Sequence, residues 1–196
     1  MGMAPRRSPV AASPAHAWLR THLGTQVDVA LRDLLRSMTE TLAIASANAA
    51  TLRALSSDGE WLFPVAAHHP DPRMKTAMTE IMEVTAHRAE SGLWRPILDG
   101  RAAARFRLAT DGDGRAAASA AQRRFLDRYP VSAVLGMALR VDGETVGVAS
   151  LVEFAAGRDH TDDDEALLAE FVAHAAPVVQ LLRAGGLPRW VDRPWS

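Results

Sequence analysis

The 196-residue chain reads as an α+β protein: a central antiparallel sheet with the N- and C-terminal helices on one face and a helical, irregular segment on the other. Three observations carry that reading. Apolar helical seams lie near both ends of the chain. Just inside them sit two runs of strand character, each broken by Asp-Gly. The sequence between these runs follows no single period. Helices segregated to the faces of an antiparallel sheet are the layering that such an order builds.

The elements follow in order. Residues 1–14 are rich in Pro, Ser and Ala and read as a flexible lead-in. Residues 15–23 suit a short helix that Gly24 interrupts, so residues 1–24 form an N-terminal segment apart from the domain. Thr25 and Asp28 have the spacing of a capping box. The helix behind them carries Val27, Leu31, Leu34, Met38 and Leu42 on one seam. Residues 50–56 and 61–68 flank Asp58-Gly59, and residues 133–141 and 144–154 flank Asp142-Gly143, each the pattern of an antiparallel hairpin.

In the middle, residues 72–90 suit a helix with Met74, Met78, Ile81 and Met82 on one face. Residues 92–98 suit one or two turns, and residues 101–108 a strand. Residues 111–114, Asp-Gly-Asp-Gly, read as a loop without the later ligand spacing of a calcium site. Residues 116–128 suit another helix. A final helix from Thr161 to about Leu182 presents Leu168, Val172, Ala175, Val179 and Leu182, with Pro177 expected to kink it. The domain therefore spans residues 25–185, and residues 186–196 are a tail.

Bulk chemistry narrows the function. A hydrophobic fraction of 48% supports one well-buried core. A net charge of −1 and a pI near 6.7 argue against a direct nucleic-acid binder. The absence of cysteine removes disulfides, thiolate metal sites and cysteine nucleophiles. No uninterrupted apolar run has the length of a membrane span, so no membrane partner is expected and a cytoplasmic protein is the default.

Two stretches then resemble the GAF family of sensory domains. One is Y-P-V-S-A-V-L-G-M-A-L-R-V-D-G-E-T-V-G-V-A-S-L, from Tyr129 to Leu151; the other is H-T-D-D-D-E-A-L-L, from His160 to Leu168. They are similar to the family's paired strands and to the Thr-led start of its last helix. The A-A-H-H-P-D-P stretch is similar to the end of its second strand. The resemblance runs from about Thr25 to Arg183. It departs at Ala138, where a proline is usual, and at His160, where an aromatic often stands. It also lacks the Asn-Lys…Phe…Asp-Glu signature of cyclic-nucleotide-binding members. The cysteines of the methionine-sulfoxide reductase branch and of bilin-attaching members are absent as well.

The resemblance implies a ligand region in the middle segment. Trp94, Arg105, Phe106, Arg107, Phe125 and Tyr129 are the residues there that supply stacking faces and anion-binding forks, as would an ordinary core with surface arginines. Met78 belongs to a stripe that serves equally as core or as a pliable pocket lid. His68 and His69 follow one another at a strand end, where neighbours point to opposite faces. They are badly placed to share an ion, and His69 is a candidate at the pocket rim. Asp162, Asp163, Asp164 and Glu165 read as first-turn acids behind a Thr161 cap, not as a cation cluster. His16, His22, His87, His160 and His174 are scattered, and no catalytic motif occurs.

The expectation is a non-enzymatic sensory or regulatory domain that binds an unidentified small molecule, with no cofactor or metal predicted. A homodimer is expected through Val27, Leu31, Leu34, Leu168, Val172 and Val179, unless both seams pack only on their own sheet. Output would pass through a separate partner, with Trp190 and Trp195 as contacts, or through a longer regulator of which this chain is a piece. The alternative is a small enzyme or a haem carrier on the same fold, with His69 or His68 as axial ligand.

Overall fold

The computed structural model describes residues 14–83, 86–108 and 113–185. Helix α1 (Pro14–Ser46) leads into β1 (Ala49–Leu55) and β2 (Trp61–His68). A 3-10 turn, Pro72–Met74, opens α2 (Lys75–Met82), and the short β3 (Ala86–His87) follows. Two further 3-10 turns precede α3 (Arg95–Leu98) and β4 (Ala103–Arg107). Helices α4 (Asp113–Ala117) and α5 (Ala120–Arg128) then lead to β5 (Ala133–Val141), β6 (Glu144–Glu153) and α6 (Asp162–Ala184).

The strands form one six-stranded sheet in the order β3-β2-β1-β6-β5-β4, and every neighbouring pair is antiparallel. Both expected hairpins form. Asp142 and Gly143 have φ of 51° and 83°, the doubly left-handed turn that Asp-Gly favours between twisted strands. The β1–β2 pairing slips between Leu52 and Arg53, opposite Val65, next to Pro64, which has no N–H to give to a ladder.

The sheet separates two apolar layers. On one face Leu35, Leu42 and Ala43 of α1 and Leu168, Phe171, Ala175, Val179 and Leu182 of α6 pack on Ala50, Leu52, Leu135, Leu139, Val146 and Leu151. On the other, Met78, Leu93, Trp94, Ile97, Leu126 and Val131 cover Ala49, Leu62, Val134, Ala138, Val148 and Val152. This is the expected layering. Thr161 and Asp164 form the expected capping box of α6, which runs on through Pro177. By length and apolar composition α6 would also suit a membrane span, yet its buried residues belong to the core.

Four local expectations change. Helix α1 does not break at Gly24: it is continuous, and the Thr25 hydroxyl donates to the Thr21 carbonyl at 3.0 Å instead of capping a new helix. One interior glycine costs about 1 kcal/mol, too little to break a helix well supplied with helix formers on both sides. The helix expected over residues 72–90 ends at Met82, and Ala86 and His87 instead pair with Leu62 and Trp61. The helix expected over residues 116–128 is split, because Ser119 and Gln122 form a complete capping box that starts α5 afresh. Of the expected 111–114 loop, Asp113 and Gly114 are helical, and Asp111 and Gly112 lie outside the described residues.

The expected dimer seam divides in the same way. Leu168 and Val179 are fully buried against the sheet, Leu31 and Val172 are half-buried, and Val27 and Leu34 are exposed. Residues 1–13 and the tail tryptophans Trp190 and Trp195 lie outside the described residues.

Candidate functional site

Within the middle segment, one side chain ties the turn before α3 to the start of α5. Gln122 Oε1 accepts from Leu93 N at 3.0 Å and from Ser119 N at 2.9 Å, while Nε2 donates to Ser91 O at 3.3 Å. This amide fastens the turn that carries Trp94 to the start of α5, which carries Phe125 and Leu126. Gly92 makes the fit feasible: its φ is +57°, and a Cβ there would stand 2.0 Å from Gln122 Oε1. Gly136 does the same beneath the ring, since a Cβ would lie 2.8 Å from Ile97 Cδ1 and 3.4 Å from Trp94 Cζ3.

Between this layer and the sheet is a cavity of about 50 Å³. Its walls are mostly apolar: Ile81, Ala86, Leu93, Trp94, Phe125, Leu126, Val131, Val134 and Val152, with Ser119 and Gln122. Arg53 is the charged member of this set. It sits in the middle of β1, on the face opposite Leu52 and Ala54, and is only 3% exposed. Its Nη2 donates to Ile81 O. Burial draws its pKa down to about 10, so the guanidinium remains charged at neutral pH.

A second concavity, an open groove of about 440 Å³, lies between α1, β2 and α2. Val65, Ala66, Met78 and Met82 line it together with His68, His69, Arg36 and Lys75. His69 accepts from Asp71 N through Nδ1 at 2.9 Å, and partial burial lowers its pKa. Arg36 is committed to Asp33 at 3.0 Å on the surface. The Phe154 ring stands between the two concavities, 5.6 Å from His69 and 6.5 Å from Phe125.

The expected site residues therefore separate. Trp94 and Phe125 line the small cavity, and the Tyr129 ring packs against Phe125 at a tilt of 35°, 4.7 Å between ring centres. Phe106 is half-buried in the same layer but outside the lining. Met78 and His69 line the open groove. Arg105 and Arg107 are on the other face of edge strand β4. Arg105 binds Asp162 and Glu165, each at 2.7 Å, and Arg107 binds Asp159 at 2.5 Å. Arg105 fastens β4 to the start of α6, Arg107 fastens it to the loop just before α6, and both stand away from either concavity. Among the described residues no group of three or more His, Asp or Glu side chains is placed to hold a metal.

Sequence reasoning missed Arg53. The signal was present: in A-T-L-R-A-L a period-two strand puts Thr51 and Arg53 on one face, and an arginine amid a central strand is a buried charge. Gln122 was equally legible as the fourth residue of S-A-A-Q, a capping box.

Strand β1 is also tied to α6 at both ends. Before it, Asn48 Nδ2 donates to Asp164 Oδ1 at 3.4 Å; after it, Arg183 Nη2 donates to Ser56 O at 3.0 Å. The cavity's charged residue and the helical layer thus share one strand.

The GAF domain family model matches residues 28–179. No curated protein matches the chain. Among solved structures, the GAF domain/HD domain protein of Geobacter sulfurreducens is similar with a TM-score of 0.60 at 14% identity, over 79% of this chain and 94% of that one. The GAF domain of an Acinetobacter phosphoenolpyruvate-protein phosphotransferase gives 0.58 at 16%, over 84% and 93%. A type II free methionine-R-sulfoxide reductase from Thermoplasma acidophilum gives 0.54 at 12%, over 78% and 96%.

Proposed function

We propose, from the premise that the chain belongs to the GAF domain family, that it is a sensory or regulatory module. It binds a small molecule in the cavity over β1 and catalyses no reaction. The observation that carries the reading is the buried Arg53 guanidinium at an otherwise mostly apolar cavity wall. An apolar enclosure with a few placed polar groups is the usual form of a small-molecule site. The open groove supports it less well, because its cations Arg36 and Lys75 are exposed to solvent. Similar folds in two-component sensor histidine kinases and phosphotransferases support a regulatory role.

Transmission in this reading is a population shift: ligand favours one packing of the terminal helices by its difference in affinity for the two arrangements. The ties from β1 to Asp164 and Arg183 supply a physical link. The receiving unit is a homodimer through the exposed apolar stripe Leu23, Val27 and Leu34 of α1. The described side chains of α1 before Asp28 are nearly all exposed, and a helix of that length without a partner is marginal in water.

The test is a thermal-shift screen of small molecules on the wild type and on Val134→Phe, whose ring fills the cavity. Compounds that raise the wild-type Tm by several degrees and leave the variant unmoved support the reading. Equal shifts in both proteins, or none in either, would overturn it.

A further inference from the structure

We propose that the cavity takes a small neutral apolar molecule, of the class of light hydrocarbons and alkyl sulfides, held by packing and not by a hydrogen bond or an ion pair. The inference rests on the cavity being the ligand site and adds the class of ligand.

The polar side chains of the lining are each engaged with the scaffold. Arg53 Nη2 donates to the carbonyl of Ile81, itself a lining residue. Gln122 accepts from Leu93 N and Ser119 N and donates to Ser91 O, and Ser119 Oγ accepts from Gln122 N at 3.2 Å. A charged or hydrogen-bonding ligand would have to displace these bonds or be buried without partners of its own, and either costs affinity. A neutral apolar molecule leaves every one of them in place.

The rest of the lining favours such a molecule. Leu93, Trp94, Leu126, Val131, Val134 and Val152 are all buried, whereas Ser119 and Gln122 belong with Ile81 and Phe125 to its half-buried part. Water held inside a protein needs roughly two to four polar partners, which these six side chains do not supply. Wall atoms that face a gap gain dispersion contacts from any atom that fills it. The volume of about 50 Å³ compares with roughly 10–15 Å³ for each water-sized unit. That leaves room for roughly three to five non-hydrogen atoms. The walls are also preformed: Gln122 ties the Trp94 turn to α5, and Gly92 and Gly136 permit the close approach of Gln122 and of Ile97. A ligand entering them has little left to order.

The experiment titrates the full chain with dimethyl sulfide, following the indole N–H resonance of Trp94. Dimethyl sulfoxide, acetamide and sodium propionate, of similar size but polar or charged, serve as comparisons at constant ionic strength. Dimethyl sulfide is expected to move Trp94 saturably and to bind at least tenfold more tightly than any of the three. Xenon under pressure should move the same resonance, since it has no polar group at all. Val134→Phe, whose ring fills the cavity, should abolish both responses. Circular dichroism reports whether that variant is folded, and Val134→Leu, a smaller intrusion, takes its place if it is not. Binding of dimethyl sulfoxide, acetamide or propionate as tight as that of dimethyl sulfide would overturn the apolar class while leaving the cavity as a ligand site. No movement of Trp94 with any compound, or equal movement in the filled variant, would overturn both.

Discussion

His160 occupies the position before the Thr161 cap with its side chain almost wholly buried. Burial lowers its pKa, outweighing Asp164 at 3.9 Å from Nδ1 and the charge of Glu153. An imidazole held neutral in the fold but free to protonate when unfolded makes stability rise with pH across that window. Stability is therefore complete above the ordinary histidine value near 6.5 and declines as pH falls below it. His69 acts in the same direction, also through burial. We expect the Tm to fall between pH 7 and pH 5.5, and the fall to be smaller in His160→Phe, where a ring of similar size cannot protonate. Calorimetry of both proteins across that range checks it; parallel curves would mean that His160 does not contribute. Arg53 is the residue-scale counterpart on the other face, a charge whose significance depends on the side chains around it. Its position in β1 made it legible, but its neighbours Ile81, Trp94 and Val134 are brought together only by the tertiary fold.

Among the elements, short polar brackets differ in weight according to burial. Gln122 satisfies two backbone N–H groups and one carbonyl in a partly buried junction. Gln122→Ala should cost roughly 1–3 kcal/mol, since it strands the Leu93 N–H, and urea unfolding measures it. Arg105 makes more conspicuous contacts, to Asp162 and Glu165, yet its side chain is 38% exposed. Arg105→Ala should cost less than about 1 kcal/mol. If the order of the two is reversed, the account of what fastens the middle segment is wrong. The hairpins and the α6 start were readable because Asp-Gly and Thr-x-x-Asp act over four residues. The middle segment was not, because its helix ends depend on distant partners. Met82 ends α2 and Ala86 turns to strand because the outer edge of β2 at Trp61 and Leu62 offers a ladder. Arg105 and Arg107 were assigned to the ligand region without the register of β4, which turns them toward α6.

At the scale of the whole molecule, α1 and α6 bury one face on the sheet and leave a stripe that the sheet does not cover. Leu168 and Val179 lie on the same kind of four-and-three helical seam as Val27 and Leu34, but the first pair is core and the second pair is exposed. A seam in sequence does not say which of two neighbouring surfaces it meets. Light scattering should give twice the chain mass for the wild type and the chain mass for Leu34→Asp, with unchanged circular dichroism. Leu168→Asp should instead unfold the domain, because it buries an unpaired carboxylate. A monomeric wild type would remove the dimer and leave the cavity untouched.

The central claim joins the cavity to the helices: a molecule beside Arg53 changes the packing of α1 and α6. It is tested most directly by one amide and indole NMR titration of the wild-type protein with a compound that binds. The account predicts that Trp94 and the amides of α1 and α6 move along one saturation curve. Saturation of Trp94 while the amides of both helices stay still would contradict it.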